Sequence, residues 1–254
     1  MFFSVFVPKS GNSRSMAMLV LALSILSVFT PSASAGQFGI NPVRMFMAPR
    51  DRAIAVTVSN EGDKEIVLQA DLYTWKQDDK GLDVLVLTDE VLLSPPIVKL
   101  APKSKKVLRL AVLRPRPAGE QLTYRMIMKE VTEAVPPGEK VEVQISVAYS
   151  LPIFVTPLGA KRDVSCTLER AATDAVRAVC ENTGNAYGHV SNFVLSSAAG
   201  EKQAELKLGG YILPGVKRSF DIKRLDAAIP AGKAKLTMIH DDGSVKTFDV
   251  TLAE

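Results

Sequence analysis

Along most of this chain apolar and polar residues alternate with a period of two. The clearest stretch is VEVQISVAYSLPIFV at 141–155, where Val141, Val143, Ile145, Val147, Tyr149, Leu151, Ile153 and Val155 take the odd positions. The even positions down to Ser150 hold Glu, Gln, Ser, Ala and Ser. Such alternation marks a half-buried strand. Fully extended at ~3.3 Å per residue the stretch would span roughly 50 Å, far beyond the usual strand of about 5–6 residues. So long an apolar ridge needs a cover. It is a core strand, a bent strand running on into a second domain, or a strand offered to a partner with an incomplete sheet.

The same reading extends along the chain. FGINPVRMFM, AIAVTVSN, IVLQADLYTW, DVLVLTD, KKVLRLAVL and TYRMIMKEV read as strands before the ridge. DVSCTLER, AVRAVCEN, HVSNFVLS, AELKLGG, RSFDIKR, KAKLTMIHD and VKTFDVTL read as strands after it. Between them lie turn-forming clusters such as EGDK, QDDKG, APKS and PPGEK, and Asp241-Asp242-Gly243-Ser244 is a hairpin signal. No segment sustains a helical period. The chain is therefore expected to be all-β, with two antiparallel sandwiches in series. Val155-Thr156-Pro157-Leu158-Gly159 is the boundary, giving domains over 36–157 and 158–254. Each is long enough to own a core.

The N-terminal 35 residues break the pattern. Lys9 and Arg14 precede the apolar run MAMLVLALSILSVF at 16–29, which ends in Pro31 and Ala33-Ser34-Ala35. The run is short for a membrane span and has the order of a cleavable export signal, so residues 1–35 are expected to be removed after Ala35. The expectation is an exported, periplasmic protein with no stable membrane insertion. Removing Lys9 and Arg14 takes two from the formal net charge of +4. So small a surplus does not point to nucleic acid. The basic run KSKKVLRLAVLRPR alternates its cations with Val and Leu, as the solvent face of paired strands does.

Cys166 and Cys180 are the only cysteines, and export places them in an oxidising compartment. They lie symmetrically about the AATDA turn, which would set them opposite each other as a cross-strand disulfide. Two cysteines alone at this spacing do not make a zinc site. Catalytic chemistry is scarce. His189 and His240 sit in strand-like stretches and are expected at the surface or a sheet edge, and no nucleophile elbow, phosphate loop or dinucleotide fingerprint occurs. A non-enzymatic protein without cofactor or metal is expected.

Several stretches, in order, resemble the periplasmic pilus-assembly chaperones of the chaperone–usher pathway. INPVRMFM resembles the family's first strand. AIAVTVSNEGDKEIVLQADLYTW resembles its second and third, with Ser59-Asn60 at the turn. LLSPPIVKLAPKSKKVLRL, YRMIMKEV and GYILPGVKRSF resemble later segments. The resemblance covers the chain from about Phe38 onward. It implies two immunoglobulin-like domains set at an angle in a boomerang. It also implies that the last strand of the first domain is lent to a pilus or fimbrial subunit lacking its final strand, without ATP, before delivery to an outer-membrane usher.

Carried over by position, Val143, Ile145 and Val147 match the groove-filling residues, Val141 is a fourth, and Tyr149 shares their face near the domain junction. Arg44 matches the crevice arginine that holds the subunit's C-terminal carboxylate, a task suited to a guanidinium fork. One departure stands out. The family's lysine on the donor strand is replaced by Pro152, which brings neither charge nor N–H. This, with the TYR…E strand, is closer to the archaic branch. Arg125 and Lys129 are the nearby cations. An uncovered ridge also gives the free protein reason to self-associate. The competing reading is a secreted structural subunit or adhesin of a surface fibre. It fits less well because Gly36-Gln37-Phe38 leads directly into a strand and leaves no donor arm.

Overall fold

The computed structural model describes residues 38–114, 119–131, 146–224 and 227–253, and every regular element among them is a strand. The first ten strands are β1 (Phe38–Asn41), β2 (Met45–Met47), β3 (Ala53–Asn60), β4 (Ile66–Gln77), β5 (Asp83–Leu87), β6 (Val91–Ser94), β7 (Ile97–Leu100), β8 (Lys105–Val112), β9 (Leu122–Glu130) and β10 (Ala148–Val155). They form two sheets, one ordered β1-β3-β8-β6 and the other β2-β10-β9-β4-β5, with β7 also on β4. The next seven are β11 (Val164–Ala172), β12 (Ala175–Asn182), β13 (Gly188–Ser197), β14 (Lys202–Ile212), β15 (Lys217–Lys223), β16 (Gly232–His240) and β17 (Val245–Leu252). They form a second pair of sheets, β11-β12-β15 and β14-β13-β16-β17. No strand belongs to both pairs, and Gly36–Glu254 makes one compact unit.

The alternation in sequence explains each core. Val56 and Val58 of β3, Leu108 and Leu110 of β8, and Tyr124, Met126 and Met128 of β9 turn inward and are buried together. In β8 the intervening Val107 and Arg109 stay exposed. The second core gathers Val176, Ala178 and Cys180 of β12 against Phe193 and Leu195 of β13 and Leu236 and Met238 of β16. Cys166 and Cys180 stand directly opposite in the β11–β12 register and are disulfide-bonded.

Three sequence expectations change. FGINPVRMFM is not one strand: β1 pairs with β3 in one sheet, whereas β2 runs parallel to β10 in the other. Pro42 has no N–H to continue the first ladder, and the chain crosses between sheets there. The expected strand AELKLGG is longer, running on through Tyr211 to Ile212 as β14, and its pairing with β13 slips between Val190 and Asn192. A Cβ on Gly209 would fall 2.7 Å from the Val190 carbonyl oxygen, so only glycine fits that close approach. Of the long ridge, β10 occupies residues 148–155, and residues 141–145 lie outside those described.

Candidate functional site

Strand β10 changes character along its length. Leu151, Ile153 and Val155 point into the first core and are buried. At this end the other face is covered too: Phe154 packs with Trp75, Tyr187 and Leu213, residues from both sandwiches. The period-two contrast between faces is lost here because each face has its own cover. Towards the start of β10 that cover thins. Tyr149 is 39% exposed and makes a T-shaped contact with the Phe38 ring, at 5.0 Å. Val147 is half-buried at the margin of the same core. Val141, Val143 and Ile145 continue this odd-numbered face in sequence but lie outside the described residues.

The edges of β10 are unequal as well. On one side β9 pairs with it along its whole length, from Ala148 opposite Lys129 to Val155 opposite Leu122. On the other, β2 pairs only with Ile153, Phe154 and Val155. Among the described residues no second strand takes up the edge from Ala148 to Pro152. An unpaired strand edge beside apolar side chains is a template for strand addition.

Arg44 lies where that edge meets the second sandwich. It immediately precedes β2, whose Met45 is paired with Ile153. Its Nη1 donates to Asp241 Oδ2, at the turn between β16 and β17. The Arg44 side chain is 35% exposed and that of Asp241 only 9%. Burial works against the Arg44 charge, but the hydrogen bond to Asp241 and the nearby Tyr211 and Tyr187 outweigh it, so its proton is held more firmly than usual. His189 Nδ1 lies 3.7 Å from the same Asp241 oxygen. Burial pushes the His189 pKa down, with Asp241 opposing and Arg44, Arg162 and His240 adding to the fall.

The histidines are therefore not surface groups. His240 is buried and His189 lies tilted against the Tyr211 ring at 4.2 Å, because the two sandwiches and the β16–β17 turn enclose them. The expected turn at Asp241-Asp242-Gly243-Ser244 is present, but its sequence gave no sign that Asp241 reaches a residue of the other sandwich.

Around this pair the sandwiches are tied by rings and amides. Phe154 stacks on Tyr187 at 4.0 Å and lies 6.0 Å from Trp75. Gln77 donates to the Tyr211 carbonyl at 3.1 Å and accepts from the Leu213 N–H at 3.0 Å. Gly81 lies so close to Arg218 that an added Cβ would fall 2.6 Å from its Cγ. Arg125, directly opposite Pro152, stacks over Trp75 at 3.8 Å and pairs with Asp83 at 3.5 Å. Burial lowers its pKa. Lys129 is paired with Asp71 at 3.1 Å. Neither of the cations near Pro152 stands unengaged. Among the described residues no His, Cys, Asp and Glu group could hold a metal, and no helix is long and apolar enough to cross a membrane.

Sheet order and core define the class: an all-β protein of two immunoglobulin-like sandwiches. Residues 37–161 match the family described as pili and flagellar-assembly chaperone, PapD N-terminal domain. The chain is 26% identical over 153 residues to the probable fimbrial chaperone LpfB of Escherichia coli O157:H7, covering 59% of this chain and 63% of that one. It thus spans under two thirds of the curated relative's length. Among solved structures it resembles the chaperone–tip adhesion subunit pre-assembly complex CsuC-CsuE from archaic chaperone-usher Csu pili of Acinetobacter baumannii. That likeness has a TM-score of 0.62 and 21% identity, over 86% of this chain and 100% of the other. The Salmonella enterica SafA pilin in complex with the SafB chaperone gives a TM-score of 0.58 at 15% identity, over 87% and 99%. At these identities the likenesses speak to fold.

Proposed function

We propose that this chain is a periplasmic chaperone that holds pilus or fimbrial subunits by donating a strand and passes them to an outer-membrane usher. In this reading residues 1–35 are a cleaved export signal, 36–157 the donor domain and 158–254 the second domain. It acts by binding alone, with no catalytic step. The observation that carries it is the half-paired β10. Its inward ridge runs from a buried end at Val155 to a half-covered end at Val147, and its edge from Ala148 to Pro152 has no second partner among the described residues. Val141, Val143, Ile145, Val147 and Tyr149 would fill the open groove of a subunit while the backbone pairs with its edges. Each well-buried Val or Ile contributes ~1.5–3 kcal/mol. Arg44 would hold the subunit's terminal carboxylate.

The test is a pull-down of the tagged mature protein from its own periplasm, followed by intact-mass analysis. The expected result is a one-to-one complex with a small β-rich protein that is lost in Val143→Asp and Ile145→Asp while both variants stay folded. Recovery of monomer alone while fibres are being made, or undiminished capture by both variants, overturns the reading.

A further inference from the structure

The carboxylate that Arg44 holds in this structure is the protein's own. Asp241 comes from the turn of the second sandwich, 197 residues along the chain, and takes one arm of the guanidinium through Oδ2. Its other oxygen, Oδ1, is buried and accepts no hydrogen bond. The backbone N–H of Asp241 donates to the His189 carbonyl at 3.2 Å, which fixes the turn against β13. A buried carboxylate with one oxygen unpartnered depends heavily on the one cation it has. Arg44, by contrast, remains over a third exposed and within reach of an incoming group.

Resting on the reading of Arg44 as a carboxylate anchor, we infer that Asp241 is an internal competitor for that anchor: it occupies Arg44 in the free protein and must yield when a subunit's terminal carboxylate arrives. The chemistry follows from like charge. A second carboxylate brought to the same guanidinium meets both a partly used fork and a fixed negative charge beside it. Asp241 therefore weakens capture of the carboxylate relative to a bare Arg44. That suits a site whose occupant has to be handed on. Because the pair joins the two sandwiches, exchange at Arg44 also unties one contact between them. Asp241 sets the anchor's affinity without itself touching the subunit.

The experiment uses the full mature chain and acetate as the carboxylate probe. The Arg44 Nε–H resonance, assigned by its loss in Arg44→Lys, is followed through an acetate titration in the wild type and in Asp241→Asn. The expected result is an acetate midpoint lower in Asp241→Asn by on the order of tenfold, the size of a relieved like-charge contact. Asp241→Ser, smaller and also neutral, should shift it in the same direction and covers the case in which Asn disturbs the turn. An unchanged or higher midpoint in both variants overturns the inference and makes Asp241 a residue that positions Arg44. If acetate moves the Arg44 resonance in none of the proteins, the reading of Arg44 as an anchor falls, and the inference with it.

Discussion

The two sandwiches share a corner and differ in how they are closed. Asn60 ends β3 and Asn182 ends β12, and both are almost fully buried. In the first, Nδ2 donates to the carbonyls of Lys64, Leu100 and Ala101, while Oδ1 accepts from the Gly62 N–H at 2.9 Å. In the second, Nδ2 donates to Ala186 and Ile212 at 2.8 and 2.9 Å, and Oδ1 accepts from the Gly184 N–H at 3.0 Å. The same Asn-x-Gly unit thus pins a strand end to the crossing chain in each domain. Beyond the pin they diverge. The second sandwich bonds two of its neighbouring strands covalently, whereas the first leaves one side of β10 largely unpaired among the described residues. One domain is braced across its strands, and the other keeps an open edge beside its core.

If the pins do the same work, removing either should cost about the same. Asn60→Ala and Asn182→Ala each leave at least one buried carbonyl without its donor and remove the acceptor of a glycine N–H. With orphaned buried groups costing about 1–3 kcal/mol each, a loss of about 4 kcal/mol is expected from either variant. Urea unfolding followed by circular dichroism measures it. A loss below about 1 kcal/mol for one of the two would break the equivalence, since it would leave the net value of about one ordinary hydrogen bond there.

The disulfide should separate the domains where the pins unite them. Cys166 and Cys180 are 14 residues apart, and a loop of about this size constrains the unfolded chain by about 3 kcal/mol. The double variant Cys166→Ala/Cys180→Ala is expected to lose about that much from the second sandwich alone. Hydrogen exchange at amides of β12 and β13 should accelerate, while that of β3 and β8 stays as in the wild type. Equal acceleration in both would mean that the sandwiches unfold as one unit and that the contrast in bracing has no separate thermodynamic meaning.

How far this was legible in sequence depends on whether a residue's partner is near in the chain. Alternation located β3, β8 and β9 because each has one fully buried face and one less buried face, and the symmetric spacing around AATDA placed Cys166 opposite Cys180. It misreads the segment where the chain changes sheet, at Pro42, and carries no signal for the second covered face at Phe154. Asn60 stands out only through the family resemblance, and the signal for Asn182 is the repeat of the same Asn-x-Gly unit. The Arg44–Asp241 pair left no local signal at all. Its two halves come from different domains, and Asp241 sits in a turn whose own chemistry already accounts for an aspartate.

The smallest expected difference between the domains is electrostatic. Both histidines lie in the second sandwich, and each has its pKa lowered from 6.5, first of all by burial. For His189, Asp241 opposes that fall, while Arg44, Arg162 and His240 deepen it. For His240, Arg162 is the next contributor, with the His189 carbonyl, Asp242 and Asp241 opposing. A histidine whose folded pKa lies below its unfolded value binds fewer protons when folded. Its contribution to stability is therefore complete above about pH 6.5 and is lost as the pH falls through the folded value. Asp242 acts in a lower window: its two bonds from Ser244 hold its pKa at about 2, so its contribution persists above its unfolded value of 3.8 and fades as the pH falls towards about 2. Between pH 7.5 and 5.5 the histidines should accordingly dominate this contrast. Amide protection factors in β13 and β16 are expected to fall over that range while those in β3 and β8 hold. His189→Gln with His240→Gln should flatten the response. An equal fall in both sandwiches, or an undiminished one in the double variant, would place the acid sensitivity elsewhere in the molecule.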